Sequence, residues 1–246
     1  MTAFRLLRVF NDERVRDYAG SKTRIGRNSL GYFPGDSLPE ALVRELAHER
    51  ALPIKEVVEA FEFFAVVRKY VRRSPVIADL CTGHGLAGLL FAVFERRTEQ
   101  VLLCDRRRPA HFEHVWRACL KVAPWIESKV RYVEGSLSRT RSTLPAAAAV
   151  LGVHPCGLLT DQCIEIAMEL GGPLAVMPCC RAHQINRAPQ GLREALGEDV
   201  AYDVERSYTL ERGGYRVRWR EIPATVTPMN RVLIGVPRAA PVTTAS

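Results

Sequence analysis

The chain has 246 residues, 47% of them hydrophobic, which is enough to bury the core of one large α/β domain. It contains no run of 18 or more apolar residues, and charges interrupt the N-terminal segment, so we expect neither a membrane span nor a signal peptide but a soluble, cytoplasmic protein. The formal charge of +8 favours an anionic partner such as nucleic acid, and the odd count of 7 cysteines argues against a disulfide framework.

The first 73 residues predict a loop and two helices that form a cap on the rest of the chain. Residues 20–36 are rich in glycine, serine and basic residues and lack periodicity, so we expect a loop or a lid. Ser37 and Glu40 have the spacing of a capping box, which begins a helix that continues to about residue 50. Pro53 opens a second helix. Its apolar face is predicted to contain Val57, Ala60, Phe61, Phe64, Val67 and Val71.

From residue 76 onward, short β-rich runs alternate with helical stretches, a pattern typical of parallel βαβ units. The predicted strands are 76–80, 100–104, 129–133, 147–153, 173–177, 215–222 and 231–236. Helices are expected between them, including one near 191–196 and one near 203–211. The last two strands read as a hairpin, so we expect an α/β, Rossmann-like seven-stranded sheet, mostly parallel with one antiparallel strand, preceded by an N-terminal helical extension.

A glycine-rich turn follows the first predicted strand directly. Gly83, Gly85 and Gly88 form a G-x-G-x-x-G motif between that strand and a helix. Asp105 ends the next strand, where a carboxylate accepts hydrogen bonds from the two hydroxyls of a ribose. Together they predict a nucleoside-binding crevice, although a ligand-free turn or a nicotinamide-dependent oxidoreductase would show the same glycines.

Asp79 ends the first strand, where dinucleotide-binding enzymes usually have an apolar residue, and an acid there suits a cofactor with a cationic amino-acid part. The arrangement resembles the class I S-adenosylmethionine-dependent methyltransferases over roughly residues 54–237. The resemblance implies that Asp79 lies beneath the methionine part and that Asp105 holds the ribose. Cys81 replaces the usual first glycine, and Ser136 stands where many relatives have an acid for the adenine amino group.

The resemblance therefore defines the candidate cofactor site and the domain bounds. The expected cofactor-binding residues are Asp79, Cys81, Gly83, Gly85, Asp105, Ser136 and His154. The expected parts are a cap (1–73), a methyltransferase domain (74–238) and a disordered tail (239–246).

Histidine and cysteine side chains follow the fourth and fifth predicted strands, whose carboxyl ends meet at the same edge of the sheet. His154 and Cys156 follow the fourth strand, and Cys179, Cys180 and His183 follow the fifth. Three interpretations are open: a zinc site, which adjacent cysteines rarely form; a vicinal disulfide switch; or the wall of a methyl-acceptor pocket. We favour the pocket and expect no metal there, with Cys156, Cys179 and Cys180 as its walls.

A methyl acceptor with a hydroxyl group needs a proton acceptor whose pKa lies near neutrality. The candidates beside the predicted pocket are His154, Asp161 and His183.

The segment VHPCGLLTD with the later cysteine pair also resembles a subset of methyltransferases that includes the CHHC-finger tRNA ribose 2'-O-methyltransferases, whose pattern is roughly H-x-C-G-x-x-T-D followed by Cys-Cys. The matching residues are His154, Cys156, Gly157, Thr160, Asp161, Cys179 and Cys180. The chain has no separate CHHC finger, and the histidine after the cysteines is displaced to position 183.

The sixth predicted strand alternates apolar and basic residues. Tyr215, Val217 and Trp219 are predicted to face inward, and Arg216, Arg218 and Arg220 to face outward. Such a row either follows a phosphate backbone or is a solvated edge that prevents aggregation.

From these patterns we expect a methyltransferase that uses S-adenosylmethionine and acts on RNA, at a tRNA hydroxyl or base. The alternatives are the same chemistry on a small metabolite or natural product, with the cap as a lid, and a nucleoside-binding protein without catalytic activity.

Overall fold

A computed structural model of the chain describes residues 2–179 and 188–238. Cys180, His183 and the predicted tail at 239–246 lie outside these ranges. The strands are β1 Val76–Leu80, β2 Gln100–Asp105, β3 Val130–Glu134, β4 Ala149–Val153, β5 Leu174–Met177, β6 Tyr215–Glu221 and β7 Arg231–Pro237. The helices are α1 Glu13–Arg16, α2 Leu38–His48, α3 Ile54–Val71, α4 Leu86–Phe94, α5 Phe112–Val122, α6 Leu137–Arg141, α7 Leu159–Leu170, α8 Gln190–Leu196 and α9 Glu198–Arg212. Short 3-10 turns lie at Arg8–Asn11, Asp17–Gly20, Arg27–Tyr32 and Pro124–Ile126.

The strands form one 7-stranded sheet in the order β3-β2-β1-β4-β5-β7-β6. The first five strands are parallel, whereas β7 runs antiparallel to both of its neighbours. This confirms the predicted Rossmann-like fold. Because the chain reverses its direction of travel along the sheet at β1, a crevice opens between the carboxyl ends of β1 and β4, where α/β proteins bind their ligands.

The predicted strand bounds agree with the structure to within two residues. The largest difference is at β4, which begins at Ala149 and not at Ala147. Ala147 has a φ of +59°, and its N–H bonds the carbonyl of Leu170 at 2.6 Å. The residue therefore belongs to a turn, which a continuous apolar run does not reveal. Helix α9 also begins earlier than predicted, at Glu198.

Helix α3 packs on the sheet and on α4 through its predicted apolar face, all of whose members are buried, whereas α2 packs on α5. The rings of Phe64 and Phe91 lie 4.8 Å apart, edge to face. Glu62 is also completely buried. Its carboxylate accepts hydrogen bonds from the backbone N–H groups of residues 5, 6 and 7 at 2.8 to 3.0 Å. A buried charge is tolerated here because three donors satisfy it, and it fastens the N-terminal segment to α3.

Residues 20–36 form a packed segment. Ile25, Ser29 and Phe33 are buried, and a β-bridge joins Arg24 to Pro53. The buried positions lie four residues apart across the 3-10 turn, which places one face of the segment against the cap. Apart from the 3-10 turns and the bridge at Arg24, the segment is a loop, as predicted, and it packs closely on the cap.

The predicted capping box at Ser37 does not form. Ser37 is the N-cap of α2, but its side chain makes no capping hydrogen bond. A cap hydroxyl binds the N–H of the second or third helical residue. Pro39 at the second position has no N–H to donate, and the Ser37 hydroxyl does not accept from Glu40 at the third.

Strand β6 is the edge of the sheet and shows the predicted alternation in part. Tyr215 is buried, and its hydroxyl donates to the carbonyl of Ala167 at 2.7 Å. Trp219, predicted to face inward, is 36% exposed. Arg220 is half-buried and donates to the hydroxyl of Tyr70 on α3 at 2.8 Å. One of the three arginines of β6 therefore contacts the cap.

Across residues 2–179 and 188–238, no helix combines the length and the apolar character that crossing a membrane requires.

Candidate functional site

The turn between β1 and α4 requires three residues with positive φ: Cys81 at +57°, Gly83 at +53° and Gly85 at +78°. Glycine adopts this conformation without strain, whereas a cysteine adopts it at a steric cost. A Cβ at Gly85 would lie 3.0 Å from Leu103, and a Cβ at Gly88 would lie 2.6 Å from the same side chain. The glycines therefore let α4 pack directly on β2.

Asp79 lies at the end of β1 and is 1% exposed. Its Oδ2 atom accepts hydrogen bonds from the Thr82 hydroxyl at 2.6 Å and from the Gly88 N–H at 2.9 Å. Burial raises the pKa of this carboxyl to about 6, although both hydrogen bonds oppose the shift. Its Oδ1 atom is also buried and has no hydrogen-bond partner among the described residues. Such an orphaned acceptor indicates that a donor or a cation completes the site.

Asp105, at the end of β2, faces the glycine turn. One carboxylate oxygen accepts from the Gly83 N–H at 2.8 Å and the other from the Arg106 N–H at 2.6 Å. Each carboxylate oxygen has two lone pairs, so both keep one for a ligand. The turn is held from the other side by Tyr132, whose hydroxyl donates to the Gly83 carbonyl at 3.0 Å. The Asp105 carboxylate is therefore fixed in orientation before any ligand binds.

A cleft of about 760 Å³ lies over the carboxyl ends of β1, β2 and β4. Five of the predicted site residues line it, namely Cys81, Asp105, Ser136, His154 and Cys156. Ser136 is the N-cap of α6, and its hydroxyl accepts from the Arg139 N–H at 3.4 Å. These five side chains come from separate loops, and the fold places them around one cavity.

His154 stands at the end of β4 with a φ of +59°, and its N–H bonds the Met177 carbonyl at 2.9 Å. Its Nε2 atom lies 3.1 Å from Oε2 of Glu59 on α3. Because a carboxylate only accepts hydrogen bonds, this contact places the imidazole proton on Nε2. Its Nδ1 atom is then a lone-pair acceptor, and it is buried without a partner among the described residues.

Glu59 was not identified from the sequence. It is 2% exposed, and Nζ of Lys55 lies 3.2 Å from its other oxygen. A signal did exist, because Glu59 stands between Val58 and Ala60, next to the predicted apolar face of the helix. A buried carboxylate in such a setting is held either by backbone donors, as Glu62 is, or by a partner at a site.

A second histidine, His84, lies in the glycine turn. Its Nδ1 atom accepts from the Leu86 N–H at 3.1 Å, and its Nε2 atom lies 3.5 Å from Oε2 of Glu56. Burial is the main reason that the pKa of His84 is lowered to about 4, so the ring is neutral at pH 7. Burial also raises the pKa of the Glu56 carboxyl. The side of α3 that faces the sheet edge thus presents two carboxyl groups, each directed at a histidine.

The cysteines of the two motifs meet as predicted. Sγ of Cys156 lies 3.2 Å from Sγ of Cys179, a distance at which the two residues are thiols and not a disulfide. Within residues 2–179 and 188–238, no three metal-binding side chains are close enough together to hold an ion. Cys180 and His183, which the sequence predicted as a pocket wall and a proton acceptor, lie outside those ranges, so both remain predictions, and the zinc interpretation also stays open.

Asp161 has a different setting from the predicted one. Its carboxylate faces α9, where it accepts from the Tyr202 hydroxyl at 2.6 Å and from Nε of Arg206 at 2.9 Å. Arg206 is 4% exposed and also pairs with Asp203 at 3.2 Å. This network fastens α7 to α9, and Asp161 is not among the residues that line the cleft. The geometry supports a structural role for Asp161 rather than a role in proton transfer.

No protein-family profile and no curated protein matches the sequence. Solved structures do resemble the fold. A methyltransferase from Podospora anserina, PaMTH1 with SAH bound, is 14% identical, with 86% of this chain and 94% of that chain covered and a TM-score of 0.54. A protein described as an O-methyltransferase from Klebsiella pneumoniae is 16% identical, with 86% and 94% covered and a TM-score of 0.53. A protein described as an rRNA methylase from Clostridium thermocellum is 12% identical, with 71% and 94% covered and a TM-score of 0.50. The chain therefore has the methyltransferase fold.

Proposed function

We propose that this protein is an S-adenosylmethionine-dependent methyltransferase that methylates a hydroxyl group of RNA. The observation that carries the proposal is the joint placement of Asp105 and His154 around one cleft at the carboxyl ends of β1, β2 and β4. In this proposal Asp105 binds the ribose and His154 accepts the proton, from the ends of the two strands on either side of β1.

The residues at the cleft fit the proposed cofactor. The Asp105 carboxylate has a free lone pair on each oxygen for the two ribose hydroxyls. The buried Oδ1 atom of Asp79 fits the cationic methionine part. A Cβ at Gly83 would meet nothing within 4 Å, so the backbone there is open to a ligand. Cys81, Gly85 and Ser136 complete the proposed cofactor site.

The proposed mechanism depends on positioning and on one proton transfer. When bound, S-adenosylmethionine supplies an electrophilic methyl group. His154 accepts the proton of the acceptor hydroxyl at Nδ1, and the Glu59 carboxylate stabilises the resulting imidazolium through Nε2–H. Neutral His84, which contacts Glu56 on α3, is the proposed second group that orients the acceptor. Cys156 and Cys179 form the proposed wall of the acceptor pocket.

RNA as the acceptor is supported by charge and by the sequence motif. The net charge is +8, and Arg106 lines the cleft beside Asp105. Arginine at such a position suits a phosphate group. The motif that begins at His154 resembles the CHHC-finger tRNA methyltransferases, which makes tRNA the first acceptor to try.

The proposal is tested by incubating the purified protein with labelled S-adenosylmethionine and either total cellular RNA or a metabolite extract. We expect label in the RNA fraction, in the tRNA size range. Label in the metabolite fraction alone would overturn the acceptor, and no label in either fraction would contradict the activity.

The cofactor site is tested separately by calorimetry with two variants of one residue. Asp105→Ala should weaken S-adenosylmethionine binding by about tenfold or more, because charge-assisted hydrogen bonds contribute about 1.5–3 kcal/mol each. Asp105→Asn keeps an acceptor and the shape of the turn, so its loss should be smaller. Undiminished affinity in the alanine variant would exclude the proposed ribose contact.

A further inference from the structure

A second concave surface lies on the N-terminal cap, outside the proposed cofactor site. This cap cleft, of about 650 Å³, lies between the segment around the Arg27–Tyr32 turn and the C-terminal end of α2. Its lining includes two tyrosines and three arginines, namely Tyr18, Tyr32, Arg24, Arg27 and Arg50.

The cap cleft is positively charged. Arg24, Arg27 and Arg50 are exposed, and no aspartate or glutamate is among the described residues that line it. Within the described part of the chain, none of the three has a carboxylate oxygen within 4.0 Å, in contrast with Arg108, Arg117 and Arg206. Arginines that converge on a cavity without a carboxylate partner favour a bound anion, and the guanidinium group suits phosphate oxygens.

One of these cations is held in place by the backbone. Nη1 of Arg24 donates to the carbonyls of Arg50 and Ala51 at 3.1 and 2.9 Å, and the bridge to Pro53 fixes the backbone of Arg24. Since Nη1 alone makes these bonds, the rest of the guanidinium group can contact a ligand. A cation that is already ordered loses little entropy when it binds.

Two aromatic rings lie beside the arginines. The ring centroids of Tyr18 and Tyr32 are 5.5 Å apart with a tilt of 45°, and the Tyr18 hydroxyl lies 2.8 Å from Oγ of Ser29. Both tyrosines are half-buried. Aromatic faces next to arginines are the combination by which proteins bind single-stranded nucleic acid, where bases stack and phosphates pair with cations.

The position of the cap cleft connects it to the proposed methyl-transfer site. Burial lowers the pKa of His111, and the positive charge of nearby Arg24 lowers it further. Burial raises the pKa of the Glu56 carboxyl, and the positive charge of Arg24 opposes this shift. Oε2 of Glu56 lies 3.5 Å from Nε2 of His84. The ring centroids of His84 and His111 are 6.3 Å apart. The backbone bridge from Arg24 to Pro53 places the cap cleft at the start of α3, the helix that also carries Glu59, the partner of His154.

We propose that the cap cleft binds a nucleotide of the RNA acceptor other than the one that is methylated, with Tyr18 and Tyr32 against the base and Arg24 and Arg27 against the phosphates. This inference rests on the proposed RNA acceptor. It gives the cap a role in substrate binding, and it explains why a small segment with exposed arginines is held so firmly against α2 and α3.

The test measures binding of a fluorescein-labelled, seven-nucleotide single-stranded RNA of mixed sequence by fluorescence anisotropy. Arg27→Glu is compared with Arg73→Glu, since both arginines are exposed and neither has an ion-pair partner within the described ranges. Arg73 lies in another basic cleft, with Arg72, Arg96 and Arg97, near the amino ends of β1 and β2 and thus at the opposite edge of the sheet.

Arg27→Glu should weaken RNA binding by about tenfold, whereas Arg73→Glu should change it by less than about twofold. Arg27→Ala should reduce the slope of log affinity against log salt by about 0.7, the value for one phosphate contact on a single strand. Tyr32→Ala should weaken binding by about tenfold and Tyr32→Phe far less, because stacking needs only the ring. Affinity for S-adenosylmethionine should be unchanged in Arg27→Glu, which checks that the variant is folded.

Equal losses from Arg27→Glu and Arg73→Glu would show that net charge alone attracts RNA and would overturn the inference, as would a lack of any loss in Arg27→Glu. These outcomes are separate from those of the methyl-transfer assay, because binding requires no catalysis. RNA that binds through Arg27 but gains no label would contradict the proposed function and leave the cap cleft as an RNA site. Label in RNA, together with equal losses of RNA binding in Arg27→Glu and Arg73→Glu, would contradict the proposed RNA site in the cap cleft but not the proposed methyl transfer.

Discussion

Nε2 of His154 lies 3.1 Å from Oε2 of Glu59, although 95 residues separate them in the chain. The pair joins the loop after β4 to the middle of α3, so the cap and the sheet both contribute to the proposed proton-transfer site. Because Glu59 is 2% exposed, its charge depends on His154 and Lys55 for compensation.

Glu59→Gln should reduce methyl transfer by about 100-fold, because an amide neither fixes the imidazole tautomer nor stabilises its protonated form. Transfer rates as a function of pH measure the effect, and ¹⁵N NMR of His154 reports the tautomer. The wild-type protein should show the proton on Nε2.

Lys55→Gln is the matched control for Glu59→Gln, since it removes the other partner of the same carboxylate and leaves the contact with His154. The Nε2–H tautomer should persist in this variant. A Glu59→Gln variant with unchanged tautomer and unchanged rate would exclude the positioning role of Glu59.

Asp79 should make the stability of the cofactor-free protein depend on pH. Burial raises its pKa from 3.8 to about 6. Between those values the folded state keeps a proton that the unfolded state has released, so stability falls as pH rises through this range. The loss is complete above pH 6 and amounts to at most about 3 kcal/mol.

Urea denaturation from pH 4 to pH 7.5 checks this prediction, with Asp79→Asn as the control. The variant should lack the loss and should be more stable than the wild type above pH 6. S-adenosylmethionine, with its cationic amino-acid part, should restore stability to the wild type more than to the variant. If stability changed with pH in the same way in the two proteins, Asp79 would not be the source of the predicted pH dependence.

Gly88→Ala should destabilise the protein by about 1–3 kcal/mol in spite of the higher helix propensity of alanine. A Cβ at this position would lie 2.6 Å from Leu103 Cδ2 and 3.0 Å from Asp79, so α4 would have to move away from β2. Gly191→Ala in α8 is the control, since its Cβ would meet nothing within 4 Å.

The control should stabilise the protein by up to about 1 kcal/mol, as helix propensity predicts. Chemical denaturation measures both values. If Gly88→Ala stabilised the protein as the control does, close packing at Gly88 would be excluded.

Asp161→Asn separates the structural role of Asp161 from the catalytic role that the sequence predicted. An asparagine still accepts hydrogen bonds from Tyr202 and Arg206, but the buried guanidinium loses one of its charge partners. We expect a stability loss of about 1–2 kcal/mol and a transfer rate within about threefold of the wild type. A rate loss of about 100-fold at unchanged stability would instead support Asp161 as the proton acceptor.

The strands of the sheet and the glycine turn could be predicted from local sequence patterns. The inner parallel strands are buried on both faces and are therefore continuous apolar runs, as in β2 and β4. The positions of Gly83, Gly85 and Asp105 are local as well, because a strand that turns into a helix places them within one loop and at one strand end. The conformation of such features depends mainly on residues that are close together in the sequence.

The pairing of groups at the site, in contrast, depends on how distant parts of the chain pack together. Helical periodicity predicted that the face of α3 is buried, but not that Glu59 in that helix meets His154, since the partner comes from a loop elsewhere in the chain. In the same way, the motif around His154 did not reveal that Asp161 faces α9. Gln162, the next residue, lines the cleft, because successive residues point about 100° apart around a helix. The residue types at the site are a property of the sequence, and their pairing results from how distant elements pack on each other.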